Sequence, residues 1–138
     1  MADDLSDKLR AEVAARAGHR CEYCLIHDQD TGFPHQIDHI VSRKHGGTSN
    51  ADNLALACII CNRHKGTDIA SVNPNSGEVV RLFHPRRDMW SDHFRIENEV
   101  IEPLSEVGRV TIYLLKFNAA ERLGERRLLQ ELNAYPRD

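Results

Sequence analysis

The chain has 138 residues, 41% hydrophobic, 28% charged and 6% aromatic, a composition that fits one folded domain with a modest core and excludes a disordered or low-complexity chain. A formal net charge of -3 argues against indiscriminate binding to polyanions. No apolar run approaches the roughly 20 residues of a membrane-spanning helix, and the acidic start MADDLSDKLR is unlike a basic, apolar leader, so no membrane is expected and the cytoplasm is the expected compartment.

In chain order, the first predicted element is a helix capped by Ser6, with Leu9 and Val13 on one face and its end near Gly18. CEYC then forms a tight knuckle, and a turn-rich stretch from Asp28 to Pro34 leads into QIDHIV, a short strand. KHGGTSNAD carries every signal of a loop. NLALACIICNRHKGTDIA reads as a strand or turn that enters a second knuckle and continues as a helix. NPNSGE predicts a hairpin around Gly77 ahead of VVRLF, and FRIEN and EVIEP predict two more short strands. In the last third, Val107, Val110 and Leu114 share one face of a helix, and Leu128, Leu129 and Leu132 anchor another that Asn118 would cap. A lone Trp90 at this spacing reads as core, although Arg86 and Arg87 beside it also suit a grip on nucleic acid. His35, three residues before Asp38, reads as a surface histidine.

Charge is unevenly spread. Residues 1–34 carry four Lys and Arg against seven Asp and Glu, residues 96–138 carry six against eight, and residues 35–66 carry four against two. The middle of the chain is its basic part, and Arg43, Lys44, Arg63 and Lys65 are the candidate phosphate contacts.

Cys21, Cys24, Cys58 and Cys61 form two C-x-x-C pairs with no cysteine left over. In a reducing compartment such pairs are thiolate ligands rather than disulfides, and two turns that each offer two sulfurs complete a tetrahedral zinc site. A closed site of four sulfurs has no open position, so this zinc holds the fold and does no chemistry.

Between the knuckles, Asp38-His39, the glycine-containing basic loop from Arg43 to Gly47, Asn53, and Asn62 with Lys65 just after the last cysteine resemble the HNH endonucleases of the His-Me finger class. The resemblance covers about residues 18–68 and is closest to a small bacterial zinc-knuckle subgroup. Asn62 stands where many members have histidine, a variant that resembles the nuclease domain of the RNA-guided CRISPR effectors. LFHPRRDMWSDHF also resembles that bacterial subgroup, without attaching chemistry to it.

Elementary chemistry gives the same residues work. Phosphodiester hydrolysis needs an activated water and stabilisation of charge on the transition state and leaving oxygen. Histidine is the side chain whose ordinary titration range suits a general base near neutral pH, and His39 is the candidate. A hard divalent ion, Mg²⁺ or Mn²⁺, would take an oxygen from Asp38. The resemblance implies that Asn62 supplies that ion with an amide oxygen and that Asn53 fixes the loop holding the base. Residues two apart on a helix point about 200° from each other, which places Asn62 rather than His64 toward the site.

The expected fold is therefore α+β: a zinc-stapled ββα-metal core with an N-terminal helix and a C-terminal strand and helix extension, in one domain over 1–138 with its core at about 18–68 and its extension at about 78–138. The expected function is hydrolysis of DNA by a one-metal mechanism, with sequence preference low or supplied by a protein partner. A non-catalytic zinc-knuckle binding module and an RNA-cutting member of the same fold are the alternatives.

Overall fold

A computed structural model describes residues 5–137. Helix α1 (Asp7–Arg16) begins where Ser6, in extended conformation, accepts the Leu9 N–H on its Oγ at 3.1 Å. That bond satisfies one of the donors a helix start leaves open.

Strands β1 (Gln36–His39) and β2 (Leu54–Ala57) pair antiparallel, with Asp38 opposite Ala55 and His39 opposite Leu54. All four residues of β2 are buried, because both of its faces are covered. Leu54 and Leu56 pack with Val13 of α1, while Ala55 and Ala57 turn to the main core and the cysteines. Helix α2 (Ile59–Lys65) follows directly, packs across both strands, and completes a ββα unit. Its N-cap is a cysteine: Cys58 Sγ accepts the Cys61 N–H at 3.3 Å.

The extension holds two more hairpins. β3 (Ala70–Val72) pairs with β4 (Val79–Arg81) through a turn in which Gly77 takes a φ of 76°, and β5 (Phe94–Glu97) pairs with β6 (Val100–Pro103) after the short helix α3 (Trp90–His93). Helices α4 (Glu106–Leu115) and α5 (Ala120–Glu131) close the molecule. An aromatic chain joins extension to knuckle. Tyr23, Phe83, Phe94 and Phe117 follow one another at centroid distances of 6.3, 5.3 and 5.6 Å. Trp90 lies 5.0 Å from Phe94 and donates its indole N–H to the Tyr23 carbonyl, so it belongs to this core. Arg86 pairs with Glu22 in the same region, which removes the reading of these two residues as a nucleic-acid grip.

α4 keeps its predicted face, with Val110 buried and Val107 and Leu114 partly buried against the core, whereas α5 departs from its own. α4 buries Gly108, Val110, Thr111 and Leu115, and α5 buries Arg122, Arg126 and Leu129, whereas Leu128 and Leu132 are exposed. Apolar periodicity misplaced α5 because its inward face is built from guanidinium groups that find acceptors in the interior. Asn118 does not cap α5. Its amide brackets Ile101 of β6, accepting from the N–H and donating to the carbonyl, and also accepts from Arg126. Among the described residues no helix is long and apolar enough to cross a membrane.

Candidate functional site

The four cysteines converge from two separate turns. Their sulfurs all lie within 4.8 Å of one another, every one is buried, and Cys24 Sγ sits 3.7 Å from Cys58 Sγ. A tetrahedron with Zn–S bonds of about 2.3 Å has S–S edges of about 3.8 Å. The donors thus fit zinc in number, type and spacing, and they are far too distant for disulfides. Each knuckle also points a backbone N–H at a sulfur, Cys24 N–H at Cys21 and Cys61 N–H at Cys58.

β1 carries the neighbouring residues of the motif to opposite sides. Asp38 turns inward and is 4% exposed. Its Oδ2 accepts the Tyr23 hydroxyl at 2.7 Å, and the Lys65 ammonium lies 3.2 Å from Oδ2 and 3.3 Å from Oδ1. Burial pushes the Asp38 carboxyl up, against the pull of Lys65 and of the Tyr23 hydroxyl. Lys65 is 2% exposed and also donates to the carbonyls of His39 and Ile40. The assignment of Lys65 to phosphate contact is therefore corrected: it shares the side of α2 that faces β1, and that side is the interior. Arg63 and Lys44 remain exposed.

His39 sits at the end of β1, partly buried, with Nε2 3.0 Å from Ser49 Oγ. Ser49 Oγ also accepts from Arg43 Nη2 at 2.8 Å. A hydroxyl oxygen has two lone pairs, so it can accept from both groups. The hydroxyl can equally donate to the ring, so Ser49 holds His39 at Nε2 in either tautomer, and Nδ1 has no hydrogen-bond partner among the described residues.

Asn53 ties the loop that holds these groups. Its Oδ1 accepts the Val41 N–H, and its Nδ2 donates to the carbonyls of Val41 and Thr48 at 2.8 and 2.7 Å. The backbone adds Ile40 N–H to the Asn53 carbonyl, 2.9 Å. One side chain thus fastens both ends of the loop from 41 to 48.

Asn62 faces the same groove as Gln36, donating to its Oε1 at 2.6 Å, so the Asn62 carbonyl oxygen is left for another donor or cation. His64 lies on the other side of α2 with Lys116 and Arg122 as neighbours, and burial and those cations hold its pKa down. His35 is not a surface residue: its ring is fully buried and Nε2 is 2.9 Å from the Ile26 carbonyl.

An oxygen-donor site for a hard divalent ion is incomplete in this arrangement. Both oxygens of Asp38 are engaged, one of them by a hydroxyl and both by an ammonium, and of the Asn62 amide the nitrogen is bonded to Gln36.

Tyr23, Gln36, Ser49 and Arg122 are the residues of this neighbourhood that sequence reasoning missed. Tyr23 could have been noticed, because it lies between two metal-ligating cysteines whose geometry is restricted. Ser49 and Arg122 carried no signal, since their partners are brought to them only by the loop and by α5.

A ββα unit stapled by four sulfurs, with an imidazole at the end of its first strand and a clamped basic loop beyond it, defines a fold of the ββα-metal nuclease class. Residues 21–68 match the family model described as HNH endonuclease, and this segment is an HNH domain. No curated protein and no solved structure matches the chain.

Proposed function

We propose that the protein hydrolyses phosphodiester bonds of DNA, with His39 as the general base. The observation that carries this reading is the His39, Ser49 and Arg43 chain: an imidazole at the end of β1, held at Nε2 by a serine beside the clamped loop, whose other nitrogen has no partner among the described residues. Ser49 and Asn53 are positioning groups, the first for the ring and the second for the loop. Arg43, Lys44 and Arg63 give this part of the surface its positive charge, suited to phosphate.

A Mg²⁺ or Mn²⁺ ion on Asp38 and Asn62 is the metal arrangement proposed from the motif. The Lys65 ammonium now stands against Asp38, so an ion there would have to displace it, and no step is derived through the ion. Zinc on Cys21, Cys24, Cys58 and Cys61 is structural in this proposal.

The test is cleavage of supercoiled plasmid with and without Mg²⁺ or Mn²⁺. His39→Ala should keep its fold and DNA affinity and lose on the order of 10² to 10⁴ in rate. Asn62→Ala should lose metal-dependent cleavage while His64→Ala keeps most of it. Wild-type protein that binds plasmid without cutting it, or a His39→Ala protein that cuts at the wild-type rate, would overturn the proposal.

A further inference from the structure

Arg122 enters the first turn of α5, outside the segment that matches the HNH family, yet its guanidinium ends among the cysteines. Nη2 lies 3.1 Å from Cys61 Sγ and 3.8 Å from Cys58 Sγ, while Nη1 donates to the carbonyls of Leu115 and Lys116 at 2.8 and 3.2 Å. The side chain also sits over the Phe117 ring, 5.8 Å from its centroid. Arg122 is 7% exposed and makes no ion pair with a carboxylate among the described residues.

A guanidinium does not lose its proton in a protein, and burying it without a counter-charge costs several kcal/mol. Carbonyl oxygens satisfy its donors but bring no charge. The nearest groups able to supply a negative charge are Cys58 and Cys61, and they do so only as thiolates. The ion itself has the complementary problem. A divalent cation on four thiolates leaves two net negative charges in a buried site, and backbone N–H groups soften that excess without cancelling it.

We propose that Arg122 is the charge partner of a tetrathiolate zinc centre, so that α5 is a working part of the metal site rather than an appendage to it. The guanidinium, anchored by Nη1 on two carbonyls and turned by Nη2 toward Cys61 and Cys58, takes up part of the surplus charge, and the metal keeps thiolate the sulfurs that Arg122 requires. Zinc retention and docking of α5 are then one coupled event. The inference rests on the zinc reading of the four cysteines and is independent of whether the protein cuts DNA.

The experiment is the rate at which purified protein releases zinc to the chromogenic chelator 4-(2-pyridylazo)resorcinol. Arg122→Met keeps the length and loses the charge, and it should release zinc roughly 10 to 100 times faster than wild type, the usual effect of losing a group that supports metal ligands. Arg122→Lys keeps the charge but not the fork and should fall between the two. Leu129→Ala, a packing lesion in the same helix, serves as control, with release rates compared at matched distance below each protein's melting temperature. Release from folded Arg122→Met no faster than from wild type, or equal acceleration in Leu129→Ala, would overturn the proposal. Should Arg122→Met fail to fold, Arg122→Lys decides: faster release supports the coupling and an unchanged rate refutes it. Wild-type protein that carries no zinc defeats the zinc reading itself, an outcome distinct from zinc held equally well by every variant.

Discussion

Gly47 shows how little freedom the loop beyond His39 has. A Cβ at this position would lie 1.7 Å from the Val41 carbonyl oxygen and 2.9 Å from Asn53 Nδ2, the two groups that close the loop. Neither can retreat, because Asn53 Nδ2 is bonded to Val41 O and to Thr48 O. Its neighbour Gly46 takes a φ of 86°, where a side chain is also disfavoured, so the glycine pair of HGG answers two separate demands. Gly47→Ala should therefore cost about 1 to 3 kcal/mol by overpacking, read as a lower urea midpoint, and should impair cleavage by shifting Ser49. Gly32→Ala, with nothing within 4 Å of its added methyl, is the control and should leave the midpoint unchanged.

Among the elements, α4 does most to hold the extension against the ββα unit. It approaches α3 and β5 so closely at Gly108 that a Cβ would stand 2.1 Å from the His93 carbonyl oxygen. One turn on, the fully buried Thr111 donates its hydroxyl to the Val107 carbonyl and accepts the Phe83 N–H at 2.9 Å. That second bond satisfies a buried backbone donor at the point where β4 runs into the aromatic core. Thr111→Val keeps shape and removes the acceptor, leaving the Phe83 N–H unpaired, a loss of about 1 to 3 kcal/mol. Equilibrium urea unfolding should show it as a lower midpoint with an unchanged slope, and a midpoint equal to wild type would mean that Phe83 finds another acceptor.

On the scale of the whole molecule, the C-terminus closes onto the first knuckle. Tyr135 donates its hydroxyl to the Cys24 carbonyl at 2.6 Å, Arg20 donates to the Arg137 carbonyl, and the Arg137 guanidinium meets both oxygens of Asp30. The Arg137 hydrogen bond holds the Asp30 carboxyl below its ordinary range. A carboxyl with a lower pKa in the folded than in the unfolded state stabilises above its unfolded value, about 3.9, and that contribution is lost as pH falls through the folded value. Asp30→Asn should therefore be less stable than wild type at pH 7 by about 1 kcal/mol, and the gap should shrink below about pH 4. Acid also strips zinc from thiolates, so the difference between the two proteins is the readout; a gap that stays constant with pH would rule out the ion pair as its source.

Much of the site could be read before any fold was known, because its residues are set by local spacing. Two C-x-x-C turns offer four sulfurs in a set that suits one zinc ion whatever lies between them, Asp38 and His39 are neighbours, and α2 must carry Asn62 and His64 to opposite sides. The α+β class, the hairpin around Gly77 and the Ser6 cap follow from patterns only a few residues long. Tertiary structure decided what those residues meet. Lys65 looked like a surface cation because a lysine is usually solvated, and only the packing of α2 on β1 made it the buried partner of Asp38. Ser49 reaches His39 through a folded loop, and Arg122 reaches the cysteines across 61 positions of chain. Burial and long-range charge pairing depend on which surfaces close on each other, and that is a property of the assembled chain that no short window of sequence contains.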